Sequence, residues 1–313
     1  MDKTLKKKLI AVFGFGSQGK AQALNLRDSG FKVIVGARKN HASWKEAEKN
    51  KFKVYSFNEA AEKAEIIMFL ISDPAQKKVF NSLKKEFLEG KTICFSSGYA
   101  IAFRQIIPPK NCDAIMVTPV ATGKKLRESF NEKKKPMQVF GLIGAKQNSS
   151  GKAVQTAKAL ANAMGLTKVF EISFEEEALA NLFCEQAFLA GGMIELGKNV
   201  FMKLIKAKVS PETAYLYTFK EINLLADLLS EFGIEGTYSR ISDTAEFGSR
   251  KNASKLFGKE FQKNLSKIRK EIISGKFSEQ WQKEFNSGKK KLKKMRSIGK
   301  NSLIEKTAKK FNV

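Results

Sequence analysis

Residues 10–26, Ile-Ala-Val-Phe-Gly-Phe-Gly-Ser-Gln-Gly-Lys-Ala-Gln-Ala-Leu-Asn-Leu, constrain the fold more than any other stretch of the chain. An apolar run, a glycine turn and an amphipathic run follow one another without a gap, which reads as strand, turn and helix. Gly14 allows the tight turn, Gly16 lets a backbone approach a pyrophosphate, and Gly19 lets the new helix pack on its strand. Phe15, Ser17 and Gln18 fill the turn between them. The helix start presents unpaired N–H groups, so these six residues form a candidate dinucleotide site.

From residue 9 to about residue 144, short β-rich runs alternate with helical stretches, the pattern of a parallel sheet covered on both faces. Strands are expected at 10–13, 32–35, 53–55, 66–70, 92–95, 114–117 and 138–143, with Ser29-Gly30, Glu89-Gly90 and Pro108-Pro109 among the turns between them. After Asn148-Ser-Ser-Gly, a helix at 152–164 and a strand at 168–171 close this part. From residue 175 onward the apolar spacing is three to four, through 179–198, 200–205, 211–232 and 257–274. Pro211 follows Ser210 as a first-turn proline follows a cap. The expected architecture is an α/β Rossmann-type domain over 1–174 and an all-α domain over 175–313.

The end of the second expected strand selects the nucleotide. An acid about 20 residues after the glycine turn would hold a ribose 2′-hydroxyl. Arg38 stands there instead, with Lys39 and Ser43 close by, and guanidinium and hydroxyl groups both donate to a 2′-phosphate. NADPH is therefore expected over NADH. The other reading of Arg38 is an ordinary surface residue.

The formal charge of +26 raises nucleic acid or an anionic surface as partners. The lysines are spread along the chain, and only residues 289–296, Lys-Lys-Lys-Leu-Lys-Lys-Met-Arg, form a dense run. We read it as a solvated segment, with no nucleic-acid partner. The chain opens Met-Asp-Lys-Thr-Leu-Lys-Lys-Lys and leads straight into the first strand; no apolar run approaches the roughly 20 residues of a spanning helix, so a cytoplasmic protein is expected. Cys94, Cys112 and Cys184 lie in apolar surroundings and are expected as buried free thiols. The many phenylalanines read as core and interface.

The glycine stretch, the run Ile241-Ser-Asp-Thr-Ala-Glu-Phe-Gly, the segment Phe183-Cys-Glu-Gln-Ala-Phe-Leu-Ala-Gly-Gly and the order of domains together resemble ketol-acid reductoisomerase in its short form, from about residue 8 to about residue 310. The resemblance implies branched-chain amino-acid synthesis: a magnesium-assisted alkyl shift in a 2-acetohydroxy acid, then reduction of the new 2-keto group by NADPH. It also implies a knotted helical domain and a homodimer sharing its active site. Carried over residue by residue, it makes Glu185 and Glu221 metal ligands, Ser242 a substrate contact and Gly98 part of the cofactor site.

The departures from the family pattern are as informative. Asn181 and Tyr217 replace two carboxylates expected to bind magnesium, and neither an amide nor a phenol is a strong ligand for a hard divalent cation. Glu185 and Glu221 alone would hold at most one weakly bound ion. Ser97 stands where the family has histidine, and the only histidine, His41, lies in the presumed 2′-phosphate loop. Val120 replaces a lysine, although Lys124 and Lys125 follow in an expected loop and Lys124 could substitute. The favoured reading is thus an NADPH-dependent oxidoreductase of this family with a degraded isomerase site, acting on a small 2-keto acid or nearly inactive. The alternatives are a functional isomeroreductase, and a basic nucleic-acid-binding or structural module. On the bland reading, Glu185 and Glu221 are ion-pair partners and Ser242-Asp243 caps a helix.

Overall fold

The computed structural model describes residues 5–132 and 138–311. The first four residues of the expected lead into the sheet, and the end of the second domain at 313, lie outside them. The chain separates into two compact units, one up to Ala180 and one from Asn181.

The first unit holds eight strands: β1 (Leu9–Phe13), β2 (Lys32–Gly36), β3 (Val54–Tyr55), β4 (Ile66–Phe69), β5 (Thr92–Phe95), β6 (Asp113–Pro119), β7 (Phe140–Asn148) and β8 (Lys168–Glu171). They form one sheet in the order β3-β2-β1-β4-β5-β6-β7-β8. The first six are parallel, in the Rossmann order, so the strand order reverses between β1 and β4. The expectation of a wholly parallel sheet needs one correction: β7 runs antiparallel to β6. Pro119 pairs with Gly141, so the connection leaves and re-enters at the same edge and the strand has to run back.

Alternation within the strands divides the core in two. Ile10, Val12, Met68 and Cys94 face one layer, whereas Ala11, Phe13, Ile67 and Phe69 face the other. On that second face Phe13, Phe69 and Phe95 occupy one register row, with ring centroids 5.1 and 5.6 Å apart. Phe174 closes the row at 6.2 Å from Phe95. Burying each such ring contributes about 1.5–3 kcal/mol, and the row fixes the ends of β1, β4 and β5 at one level. The loops that follow them emerge side by side.

Helices make up the second unit: Ile194–Lys206, Pro211–Tyr215, Ile222–Tyr238, Asp243–Leu256, Lys259–Ile273, Lys276–Asn286, Lys290–Gly299 and Leu303–Lys310. Ser210 accepts from the Thr213 N–H, the cap expected before Pro211. Two long helices expected from periodicity are interrupted by wider π-helical turns, Glu185–Met193 and Leu216–Lys220. The Gly191-Gly192 pair has a physical reason there, since a Cβ on Gly191 would lie 1.8 Å from the Gln186 carbonyl oxygen. The core is small: Phe201, Ala214, Tyr215 and Ala308, with Leu204, Phe219 and Phe311 against them. Meanwhile Phe188, Leu224, Ile234 and Phe247 are each more than half exposed in this chain. The dense basic run forms the exposed helix Lys290–Gly299. No helix of the described residues is long and apolar enough to cross a membrane.

Candidate functional site

Gly14 leaves β1 with φ of +92°, a conformation that a side chain would strain. Its N–H donates to the Gly36 carbonyl at 2.9 Å, tying the turn to β2. Space is scarce behind the turn, where a Cβ on Gly19 would meet the Gly14 carbonyl oxygen at 2.4 Å. In front it is open, and a Cβ on Gly16 would meet nothing within 4 Å. The helix Ser17–Asp28 starts there with no side-chain cap, so its first N–H groups are presented with the positive end of the dipole. Residues 14–19 therefore have the form that a pyrophosphate requires.

At the end of β2, Arg38, Lys39 and His41 are exposed, and Ser43 lies in the first turn of the helix Ala42–Lys49. The Arg38 guanidinium lies 3.2 Å from His41 Nε2. Arginine can only donate, so a hydrogen bond here uses this ring nitrogen as the acceptor. Lys20, one turn into the first helix, pairs with Glu46 at 2.7 Å and holds that carboxyl below its usual range. These groups fit a 2′-phosphate on the first mononucleotide half. NADPH, when bound, would supply the hydride.

The loops after β4, β5 and β6 meet this turn through side chains of which the sequence singled out Gln18 and Ser97 and not the others. Gln18 Nε2 donates to the Ala121 carbonyl at 2.7 Å; Gln22 Nε2 donates to Gln18 Oε1 at 3.1 Å and to Ser96 Oγ at 3.0 Å. Ser97 Oγ donates to Asp73 Oδ1 at 3.2 Å, and Gln76 Nε2 donates to the same oxygen at 3.2 Å. The Gly98 N–H donates to Glu177, so this N–H is engaged within the chain. Gln22 Oε1 and Gln76 Oε1 are buried without a hydrogen-bond partner among the described residues. Gln22, Asp73, Gln76 and Glu177 belong to no motif; a polar residue within a buried helical face was the only signal for Gln22.

Lys124 corrects an expectation. It lies in the first turn of the helix Gly123–Asn131 rather than in a loop, with its ammonium 3.8 Å from Glu128 and 84% of the side chain exposed. Val120 is exposed beside it. Cys184 also departs from expectation, because it is exposed, whereas Cys94 and Cys112 are buried. Burial pushes the Cys94 thiol up to about 12, so it is inert.

The remaining candidates lie along the helical part. Glu185 opens the π-helical turn Glu185–Met193, one turn after Asn181. Tyr217 lies within the turn Leu216–Lys220, with Glu221 just beyond it. π-Helical turns cluster at functional sites in proteins, a signal that periodicity alone does not carry. Asn181, Glu185, Tyr217 and Glu221 are all exposed. The donor set does not fit a pair of magnesium ions: among the described residues no three His, Cys, Asp or Glu side chains converge on a metal position, and an amide and a phenol stand at two of the four places. Ser242 Oγ accepts from the Ala245 N–H at 3.3 Å and caps the helix Asp243–Leu256.

Residues 4–169 match the family described as acetohydroxy acid isomeroreductase, NADPH-binding domain, and residues 174–312 match ketol-acid reductoisomerase, C-terminal domain. A ketol-acid reductoisomerase (NADP(+)) of Methanocaldococcus jannaschii is 42% identical over 97% of this chain and 92% of its own. One of Sulfolobus acidocaldarius is 40% identical, over 96% and 91%. The solved structure of an NADH-preferring ketol-acid reductoisomerase from an uncultured archaeon superposes with a TM-score of 0.93 at 35% identity, covering 100% of this chain and 96% of that one. With a Rossmann sheet followed by an all-helical region and both family domains matched in order, the chain belongs to the ketol-acid reductoisomerase family.

Proposed function

We propose that the chain is an NADPH-dependent isomeroreductase that converts small 2-acetohydroxy acids to 2,3-dihydroxy acids. The observation that carries it is the glycine turn, open in front of Gly16 and backed by an uncapped helix, in a chain that keeps both family domains. The degraded site favoured by the sequence finds no support in the comparisons. Relatives about 40% identical along almost their whole length carry the isomeroreductase name.

A second reading, reduction without alkyl migration, has its own observation: Asn181, Tyr217, Ser97 and Val120 stand where the family pattern has charged or metal-binding groups. An alkyl shift needs concentrated positive charge for two developing oxyanions, whereas hydride transfer to a 2-keto acid needs less. The discriminating assay follows NADPH oxidation with 2-acetolactate and magnesium, and separately with the already isomerised 3-hydroxy-2-keto acid. Turnover of both supports isomeroreduction. Turnover of the keto acid alone supports reduction, and turnover of neither overturns both.

For the site we propose Gly14, Phe15, Gly16, Ser17, Gln18, Gly19, Arg38, Ser43 and Gly98 toward the cofactor, and Glu185, Glu221, Ser242 and Lys124 toward the substrate. The division at residues 174 and 175, a knotted helical domain, a cytoplasmic location and the absence of nucleic-acid partners belong to the same proposal. So does a homodimer with a shared site, supported by the large apolar side chains that the helical unit leaves exposed. The basic-module alternative has only charge behind it.

A further inference from the structure

We propose that Glu177, with Asp73 and Gln22, is a positioning residue that fixes the turn 96–98 against the nicotinamide half of the cofactor; this rests on reading the first unit as an NADP site. Three consecutive residues of the turn are each held by a side chain from a different element. Gln22, on the helix after the glycine turn, donates to Ser96 Oγ at 3.0 Å. Asp73, after β4, accepts from Ser97 Oγ at 3.2 Å. Glu177, on the helix Phe174–Cys184, accepts from the Gly98 N–H at 2.5 Å.

The third tether is the most demanding. Glu177 is 2% exposed, and a carboxylate is buried at heavy cost unless hydrogen bonds hold it. A Cβ on Gly98 would lie 2.0 Å from the Phe174 carbonyl oxygen, so the turn packs directly on the backbone that carries Glu177. The glycine is required by that approach, and the carboxylate fixes the peptide plane that the glycine leaves free.

The location gives the tether its purpose. Dinucleotides lie across the carboxyl ends of the strands, one mononucleotide on each side of the switch between β1 and β4. Arg38 and Ser43, beyond β2, mark the side of the 2′-phosphate. The turn after β5 lies on the other side, which takes the nicotinamide. Charge-assisted bonds such as that from Gly98 to Glu177 are the strong ones, suited to holding a wall still during hydride transfer.

The test compares NADPH with adenosine 2′,5′-bisphosphate, which lacks the nicotinamide, on the full chain and its Glu177→Ala, Glu177→Gln and Asp73→Asn variants. We expect Glu177→Ala to weaken NADPH about tenfold and to lower its nicotinamide fluorescence, with the bisphosphate unchanged within about twofold. Glu177→Gln, which keeps an acceptor, should recover most of the loss. Equal weakening of both ligands, or of neither, overturns the inference. If Glu177→Ala does not fold, Glu177→Gln and Asp73→Asn decide: a threefold or so selective loss of NADPH supports it, and wild-type affinity in both overturns it. Failure of the unaltered chain to bind either ligand overturns the cofactor reading itself.

Discussion

The two units solve the problem of burying apolar surface differently. The first covers a sheet on both faces and closes it with an aromatic row, and its polar side chains at the strand ends hold one another. The second gathers Phe201, Ala214, Tyr215 and Ala308 into a small buried apolar cluster and leaves Phe188, Leu224, Ile234 and Phe247 open. The difference teaches that the first unit buries its apolar surface within itself, whereas the helical unit leaves large apolar side chains exposed, the observation behind the dimer proposed above.

The strongest way to break that contrast is to remove core from each side. Phe69→Ala, in the aromatic row, should cost about 3–5 kcal/mol and abolish NADPH binding, read by chemical denaturation and fluorescence titration. Phe188→Ser, exposed in the single chain, should leave the first unit's NADPH binding intact and dissociate the proposed dimer in sedimentation experiments. A monomeric parent, or a variant still dimeric, would remove the contrast.

Next in size is the nucleotide preference. Arg38→Ala removes a charged donor at the expected 2′-phosphate position and should weaken NADPH by about ten- to a hundredfold while sparing NADH. Equal loss of both cofactors would reduce Arg38 to a surface residue. The same logic sharpens the helical side. Asn181→Asp with Tyr217→Glu should raise magnesium affinity by about tenfold or more in calorimetry, because hard cations reward added carboxylates. No gain would show that the two positions are misassigned.

Legibility in the sequence follows the same division. Strands announce themselves through short apolar runs bounded by turns, so β5 and β8 match their expected bounds and the others differ by a few residues. The reversal of β7 was hidden, because periodicity carries no strand direction. The glycine turn was legible because one short segment holds strand, turn and helix start. Asp73 and Glu177 were not, because they reach the turn 96–98 from elements 24 and 79 residues away. In the helical unit the three-to-four spacing gave helices but not the π-helical turns, since the i→i+5 turn is a backbone hydrogen-bonding pattern that apolar spacing does not specify.

Ser242 tests a residue to which both a cap and a substrate contact can be assigned. Its hydroxyl ends the orphaned N–H row of the helix Asp243–Leu256, so Ser242→Ala should cost about 1 kcal/mol and Ser242→Thr little, as read from thermal melts. A much larger fall in turnover than in stability, repaired by threonine, would add substrate contact to capping.

The smallest effect separates the units by pH. In the first, the Ser56 hydroxyl and N–H hold the Glu59 carboxyl below its ordinary value of 4.5, and hydrogen bonding from Lys20 and Lys146 lowers Glu46 and Glu175. In the second, Lys310 lowers Glu212. A carboxyl with a depressed folded pKa contributes stability that is whole above its unfolded value and is lost as the pH falls through the folded one. Acidification below about 4.5 should therefore loosen the first unit at more points than the second, with each step small because these side chains are largely in water. Glu59→Gln should flatten the acid limb of the melting curve and leave the neutral plateau slightly lower. An unchanged limb would mean that the Ser56–Glu59 box contributes nothing to the titration, and that acid lability of the first unit has its source in the Lys20–Glu46 and Lys146–Glu175 pairs.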